Sequence, residues 1–293
     1  MRSGARFMPA AEAAAIMRGL RRRGADHLTF IGGEPTLHPD FERLLKIAKL
    51  LGFAVQVTTD GSGLADPARA ARLLRCIDEL CLSVHWDKPE LARAVTGTAS
   101  AYADTEAAFA NIAKYGRLRL LMCHAVACRL NLASLRGVAA YVLSKARPDI
   151  FMVSQLSPWG RAIAGYRRLA TRMPDLLRAL RPVRRLVEAR GARLLISGVP
   201  YCALGSWAGL SNEKDFTPRL VLERGRGDFR GEVLTAKRSD APPLRRVKLG
   251  ACARCRLAGR CTGVFGAYAE VFGAGAIKPA GAAAVRALAA KKI

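Results

Sequence analysis

Leu28-Thr29-Phe30-Ile31-Gly32-Gly33-Glu34-Pro35-Thr36 is the stretch on which the fold turns, because an apolar strand ends there in two glycines, a carboxylate and a proline. Adjacent glycines open backbone conformations closed to other residues and leave room for a ligand against bare amides. Pro35 fixes the exit of the chain, and Glu34 offers an anionic acceptor suited to a cationic amine. The same letters also spell an ordinary tight turn from strand to helix. The surrounding pattern has to choose between a ligand cup and a plain turn.

That pattern is an alternation of helix-period and strand-like segments from Pro9 to about Ile196, the rhythm of a parallel sheet built from β/α units. A helix is expected from Pro9 through Arg23, with proline early and acid in its first turn. Strands are expected at His27 to Ile31, Phe53 to Thr58, Glu79 to Val84, Leu118 to Cys128, Ile150 to Leu156 and Leu194 to Ile196. Helices are expected to open at Pro39 and at Asp66-Pro67, to run from Tyr102 to Tyr115, and to run from Leu132 to Lys145 with Asn131 as cap. Polar residues gather where these strands stop: Gly32 to Glu34, Thr59 to Gly61, Ser83 with His85, Asn131, and Gln155 with Ser157. In parallel β/α barrels that face carries the chemistry, since strand C-termini converge there and their loops are free to vary. The expected organisation is α/β: a partial (β/α) barrel of parallel strands over residues 1–197, a small cysteine-rich domain over 198–279, and a helix or tail over 280–293.

The chain has 293 residues, enough for a buried core and an appendage. No run approaches the eighteen or so uncharged apolar residues of a membrane helix. The N-terminal residues lack the apolar core of a secretory signal, so a cytoplasmic protein with no membrane partner is expected. The formal charge of +25 invites a nucleic-acid partner. Yet Arg18, Arg21, Arg22, Arg23, Arg181, Arg184 and Arg185 fall in alanine-rich helical segments with no aromatics between them to stack on bases. A solvated helix face is the favoured reading, with a polyanion or acidic partner left open.

Eight cysteines in a reducing compartment argue against a disulfide framework and for thiolate ligation wherever they cluster. Cys252-Ala253-Arg254-Cys255 is a CxxC pair, Cys261 follows, and Cys202 is a candidate fourth ligand. A CxxC turn aims two sulfurs at one point while its amides can donate to cluster sulfides, which suits an iron–sulfur cluster or zinc; unligated thiols are the third alternative. Cys76, Cys81, Cys123 and Cys128 sit among apolar residues and read as structural. His85 ends a strand on the polar face and is a candidate for proton transfer, a hydrogen-bonded structural role standing beside it. His124 reads as structural, and His38 as exposed.

Taken together these residues resemble the radical S-adenosylmethionine superfamily, in particular members with a C-terminal auxiliary-cluster domain of the SPASM or twitch type. Gly32-Gly33-Glu34-Pro35 is similar to the family's GGEP motif, and Thr59-Asp60-Gly61 to its Thr-Asn-Gly turn with aspartate replacing asparagine. Ser157-Pro158-Trp159-Gly160-Arg161 is similar to a Pro-x-Gly-Arg segment. Cys252, Cys255, Cys261-Thr262-Gly263, Tyr268, Gly273 and Pro279 resemble the auxiliary-cluster signature, with Cys202 as its isolated upstream ligand. The resemblance implies that Glu34 receives the methionine ammonium of S-adenosylmethionine, that Gly32, Gly33 and Pro35 line the methionine, and that Thr59, Asp60, Ser83 and Asn131 surround its other polar groups. It also implies an auxiliary 4Fe-4S cluster on Cys202, Cys252, Cys255 and Cys261.

One departure matters. The family's CxxxCxxC loop, whose three thiolates hold the cluster that cleaves the cofactor, does not occur, and no cysteine precedes Cys76. The first barrel strand is missing as well. Two expectations follow. In one, a longer form supplies the strand, the loop and a second 4Fe-4S cluster, and is an enzyme that cleaves S-adenosylmethionine reductively to a 5′-deoxyadenosyl radical for hydrogen abstraction from a substrate. In the other, the chain is a degenerate relative, a cluster-binding or scaffold protein. An acidic peptide or a small molecule is the expected substrate, with an external electron donor; an RNA substrate is a further alternative.

Overall fold

A computed structural model describes residues 7–160, 162–215, 219–226, 232–239, 246–275 and 277–289. They divide into two compact units, Met1–Val153 with Ala179–Leu194 and Ser154–Arg178 with Leu195–Ile293. Six strands lie side by side in chain order: β1 (His27–Phe30), β2 (Ala54–Thr59), β3 (Glu79–Ser83), β4 (Leu120–Ala127), β5 (Ile150–Gln155) and β6 (Arg193–Ser197). The pairings β1–β2, β2–β3 and β3–β4 are parallel. Helix α1 (Ala10–Arg22) precedes β1, and α2 (Phe41–Leu50) and α3 (Pro67–Leu74) fill the next two connections. Helices α4 (Pro89–Thr96) and α5 (Ala101–Tyr115) join β3 to β4, α6 (Leu135–Lys145) joins β4 to β5, and α7 (Ala162–Leu169) and α8 (Met173–Ala189) lead to β6. The expected α/β class is the observed one.

The period-two burial of β2 shows how the layers form. Val55, Val57 and Thr59 are buried and alternate with half-buried Ala54, Gln56 and Thr58. Helix α2 packs on this strand with Phe41, Leu44, Leu45 and Ala48 buried, and the Phe41 ring meets Phe30 of β1 edge-on at 5.4 Å. Asp66 caps α3 by accepting from the Arg69 amide at 2.7 Å, with Pro67 at the first helical position.

Register is set at the strand starts by two aspartates used in the same way. The Asp78 amide donates to the Val55 carbonyl (2.9 Å) while its carboxylate accepts from the Val55 amide (2.7 Å), so the residue grips β2 twice. Its carbonyl then accepts from Arg119, just ahead of β4, at 2.7 Å. Asp149, before β5, repeats the pattern: its amide donates to Leu121, its Oδ2 accepts from the Leu121 amide at 2.8 Å, and its carbonyl accepts from Arg193. A one-residue slip would turn every buried side chain of a strand outward, so a double grip at the first residue is an economical lock.

In the second unit the β7–β8 hairpin (Arg219–Arg226 with Glu232–Ser239) is antiparallel, as is the short pair β9 (Arg246–Val247) and β10 (Val264–Phe265). Helices α9 (Tyr201–Leu204), α10 (Gly266–Phe272) and α11 (Ala282–Ala289) complete it. Tyr268 is buried in α10, where its hydroxyl accepts from the Met173 amide at 3.2 Å.

Four expectations need correction. Helix α4 was not expected; Pro89 starts it and Gly97, at φ +74°, ends it. The helix after β4 opens at Leu135 rather than Leu132, with Ser134 as its cap position, because turns occupy 129–134 and the Asn131 side chain bonds elsewhere. The β7–β8 hairpin was likewise not expected. His38 is buried rather than exposed: its Nε2 pairs with the Met8 carbonyl at 2.8 Å, its Nδ1 accepts from the Asp40 amide at 3.0 Å, and its ring packs on Phe7.

Replacing Asp78 with alanine removes the carboxylate half of the grip and leaves the Val55 amide without it. The expected loss of stability is about 1–3 kcal/mol in urea denaturation. Lys49→Met, which removes only the Lys49–Asp78 ion pair at 2.7 Å, should cost under about 1 kcal/mol. Equal losses for the two variants would show that the ion pair, not the register bond, carries the effect.

Candidate functional site

The ends of β1 and β2 meet through the Glu34 carboxylate. Its Oε1 accepts from the Thr36 amide (3.1 Å), the Thr36 hydroxyl (2.5 Å) and the Thr59 hydroxyl (2.7 Å), and its Oε2 accepts from the Asp60 amide (2.7 Å). Glu34 also precedes the single 3-10 turn Pro35–Leu37, so one side chain caps its own loop and fastens the next. Gly63 makes this possible from the far side. A Cβ there would lie 2.1 Å from the Thr36 hydroxyl oxygen, so only glycine lets Thr36 stand where it bonds Glu34. Burial pushes the Glu34 carboxyl up from its ordinary value, against the bonds from Thr36, Asp60 and Thr59. Oε1 is fully used, whereas Oε2 carries one bond and keeps acceptor capacity.

Gly32 and Gly33 border this carboxylate and are exposed, with nothing within 4 Å of where a Cβ would stand. Gly32 has φ +152°, a conformation that side chains rarely adopt. Pro35 sits half-buried at the start of the 3-10 turn. Thr59 is buried, and Asp60 is exposed with its Oδ1 accepting from the Ser62 amide and hydroxyl.

Ser83 ends β3 in register with His124 of β4, and the His85 and His124 rings stand 6.4 Å apart, nearly perpendicular. His85 Nδ1 accepts from the Val126 amide at 3.1 Å, which puts the ring proton of the neutral imidazole on Nε2. Asn131 is fully buried. Its Nδ2 donates to the His85 and Val126 carbonyls at 3.0 and 2.9 Å, and its Oδ1 accepts from the Cys128 amide at 2.8 Å, so this side chain splices the end of β3 to the end of β4.

The second unit brings Cys202, Cys252, Cys255 and Cys261 onto one cavity, together with Lys248, Lys278 and apolar residues such as Leu257 and Ile277. Cys202 rides on α9. Cys252 lies in the 3-10 turn Gly250–Arg254, and Cys255 and Cys261 flank the turn at 256–260. All four are free thiols. Backbone amides already face two of the sulfurs, Gly263 toward Cys261 at 3.5 Å and Ala280 toward Cys255 at 3.3 Å. The Cys202 thiol is pushed up to about 11 by burial and then by the charges of Cys261, Cys255 and Cys252. Among the described residues, no three His, Cys, Asp or Glu side chains converge closely enough to hold a single metal ion. Of the other cysteines, Cys81, Cys123 and Cys128 are buried and Cys76 is half-buried.

With this geometry in view, comparison with known proteins is informative. The radical SAM superfamily model matches residues 1–126, the segment that holds the Glu34 network and the first four strands. Over these residues the chain is similar to the radical SAM superfamily. An S-adenosylmethionine-dependent nucleotide dehydratase from Flammeovirga pacifica is 44% identical over 50 residues, covering 17% of each chain. One from Lacinutrix mariniflava is 39% identical over 59 residues, covering 20% of this chain and 12% of the relative. The match spans less than a fifth of the length of each of these two relatives. Among solved structures, Streptococcus suis SuiB bound to S-adenosylmethionine aligns over 97% of this chain and 72% of that one, at 17% identity and a TM-score of 0.63. SuiB bound to the precursor peptide SuiA aligns over 67% and 43%, at 20% identity and a TM-score of 0.53. At such identities the likeness is one of fold.

Within this radical SAM fold, the structure gathers Gly32, Gly33, Glu34, Pro35, Thr59 and Asp60 at the ends of β1 and β2. It places Ser83, His85 and Asn131 at the ends of β3 and β4, and the four C-terminal cysteines on the cavity of the second unit. Trp159 is 66% exposed, and Arg161 lies outside the described residues. Thr36 escaped the sequence reading because a threonine after Glu-Pro carries no pattern of its own; the one clue is Gly63, an unexplained glycine whose partner only the fold supplies.

The two imidazoles set a pH dependence. Burial lowers His85 to about 4, against the Asp60 charge and the Val84 backbone, and lowers His124 to about 3 with help from His85. Imidazoles in the unfolded chain take up protons near pH 6.5, so the unfolded state is favoured progressively as pH falls from there toward 4. Glu34, shifted upward, acts in the opposite sense just above the ordinary carboxylate range. The urea midpoint should therefore drop on acidification from pH 7 to 4, and His124→Gln should flatten the drop. An unchanged slope in that variant would assign the acid sensitivity to other groups.

Proposed function

We propose that this chain is part of a radical S-adenosylmethionine protein with an auxiliary 4Fe-4S centre in its C-terminal region, working on an acidic peptide or a small molecule in the cytoplasm with an external electron donor. The observation that carries the reading is that four thiols spread over sixty residues of sequence line one cavity, in a chain whose residues 1–126 match the superfamily.

The donor set fits a cluster better than a single ion. Zinc in a structural site needs four ligands around one point at roughly 2.0–2.3 Å. In an iron–sulfur cluster each thiolate binds a different iron, so the sulfurs stand apart around a cavity. Amides aimed at Cys255 and Cys261 suit thiolate ligands, and Lys248 and Lys278 offset negative charge at the rim.

For the cofactor, Glu34 Oε2 retains the acceptor capacity to receive the methionine ammonium, and exposed Gly32 and Gly33 leave its backbone face open. Thr59 serves by holding Glu34 rather than by facing outward, since its hydroxyl donates to that carboxylate. Asn131, fully engaged between two strand ends, serves by placing His85 and the β4 loop. When bound, a reduced four-iron cluster on a CxxxCxxC loop supplies the electron that cleaves S-adenosylmethionine; no such loop occurs among these 293 residues, so that step belongs to a form that provides one. The exposed arginines of α1 suit an acidic substrate. Division into a barrel-type part over 1–197, an auxiliary part over 198–279 and a terminal segment over 280–293 goes with this reading.

Anaerobic reconstitution with iron and sulfide tests it. The protein should take up about four irons at the C-terminal site, by the stoichiometry of such clusters, with broad visible absorbance that disappears in the Cys252→Ala, Cys255→Ala double variant. Stoichiometric zinc in the purified protein, with no iron uptake, would overturn the assignment.

A further inference from the structure

The cavity cysteines come from segments far apart in sequence, and something must hold those segments in place. Two residues that lie outside the cysteine pattern do so. Glu213 and Arg246 form an ion pair at 2.8 Å with side chains only 6% and 8% exposed. Burying such a pair is costly, and removing one partner is costlier, because the other is left charged in a dry environment. Its contacts explain its presence.

Glu213 Oε1 accepts from the Gly198 amide at 3.1 Å as well as from Arg246 Nη2, and Glu213 Oε2 accepts from the Thr262 hydroxyl at 2.5 Å. Arg246 Nη1 donates to the Gly198 carbonyl at 3.4 Å and the Gly263 carbonyl at 3.2 Å. The guanidinium lies over the Phe265 ring, 3.8 Å from its centroid. One ion pair therefore binds three segments: the one leading from Gly198 into Cys202, the start of β9, and the loop Cys261-Thr262-Gly263. Gly263 completes the join. It has φ +86°, a Cβ there would lie 2.2 Å from the Val247 carbonyl oxygen, and its own amide faces Cys261 Sγ.

We propose that Glu213 and Arg246 are positioning residues for the four-cysteine centre, fixing the Cys202 segment and the Cys261 loop relative to each other before any metal is bound. The proposal rests on the auxiliary-centre reading for its purpose but not for its geometry. Both act through Gly198, Thr262 and Gly263. Lysine would not replace Arg246, because the planar fork that reaches Gly198, Gly263 and Glu213 together has no counterpart in an ammonium.

Hydrogen exchange of the metal-free full chain, read by mass spectrometry, isolates the clamp. Glu213→Gln keeps the shape but loses the charge and the second acceptor, so amides in 198–204 and 261–265 should exchange about tenfold faster or more, as loss of charge-assisted bonds implies. Strands β1 to β4 should keep wild-type protection. Unchanged exchange at both segments would overturn the proposal. If Glu213→Gln loosens the whole chain, Thr262→Val decides: it removes one hydroxyl, and it should speed exchange in 261–265 several-fold while sparing 198–204, whereas no local effect would count against the clamp. After reconstitution, both variants should release iron to a chelator faster than wild type. Wild-type iron content is measured separately, so a failed clamp is distinguishable from a failed metal assignment.

Discussion

Asp78 and Asp149 each spend an amide, a carboxylate and a carbonyl on holding neighbouring strands at one height. In a parallel sheet the residues at the far ends of the strands come level only if the near ends are level, because each strand rises by about 3.3 Å per residue and a slip of one residue reverses its faces. Placement of Glu34 beside Thr59 and Asp60, of Ser83 beside His124, and of His85 beside Val126 all depends on that height. Lys49 and the Val55 amide outweigh burial at Asp78 and keep its carboxyl below the usual range, so the grip stays charged wherever the sheet is folded at neutral pH.

The two candidate centres are built on opposite logics. At Glu34 the charged group is itself the functional candidate, and ordinary hydroxyls and amides hold it. At the cysteine cavity the candidate ligands are weakly polar sulfurs, which bind their surroundings poorly, and a buried ion pair a few residues away ties their segments together. Charge-assisted bonds are short and directional, and they fix geometry where thiols cannot. Tyr268 has a structural use of its own: its hydroxyl accepts from the Met173 amide in the interior of the second unit.

The sequence made much of this legible, for identifiable reasons. Strands β1 to β4 and helices α2, α3 and α5 follow from apolar period and from signals such as Asp66-Pro67, since those forces are local. CxxC spacing marked Cys252 and Cys255, and Gly-Gly-Glu-Pro marked the cup. What escaped was non-local. Asn131 reads as a helix cap because asparagine caps are common, yet its amide satisfies two carbonyls on different strands, which no one-dimensional pattern reports. His38 follows loop signals and is nevertheless buried, since Met8 and Phe7 cover it from thirty residues upstream. Glu213 and Arg246 lie in charged surroundings where a buried pair looks like any other surface charge.

Thr36 stands against Gly63 while its hydroxyl and amide hold Glu34, and Glu34 in turn holds Thr59 and Asp60. The loops after β1 and β2 therefore share a side-chain keystone, and neither can swing without dragging the other. Their displacements are therefore coupled through these bonds. Because the two segments are already tied together, a ligand held at Glu34 bears on both loops at once, and less chain entropy remains to be lost on binding than for two independent loops.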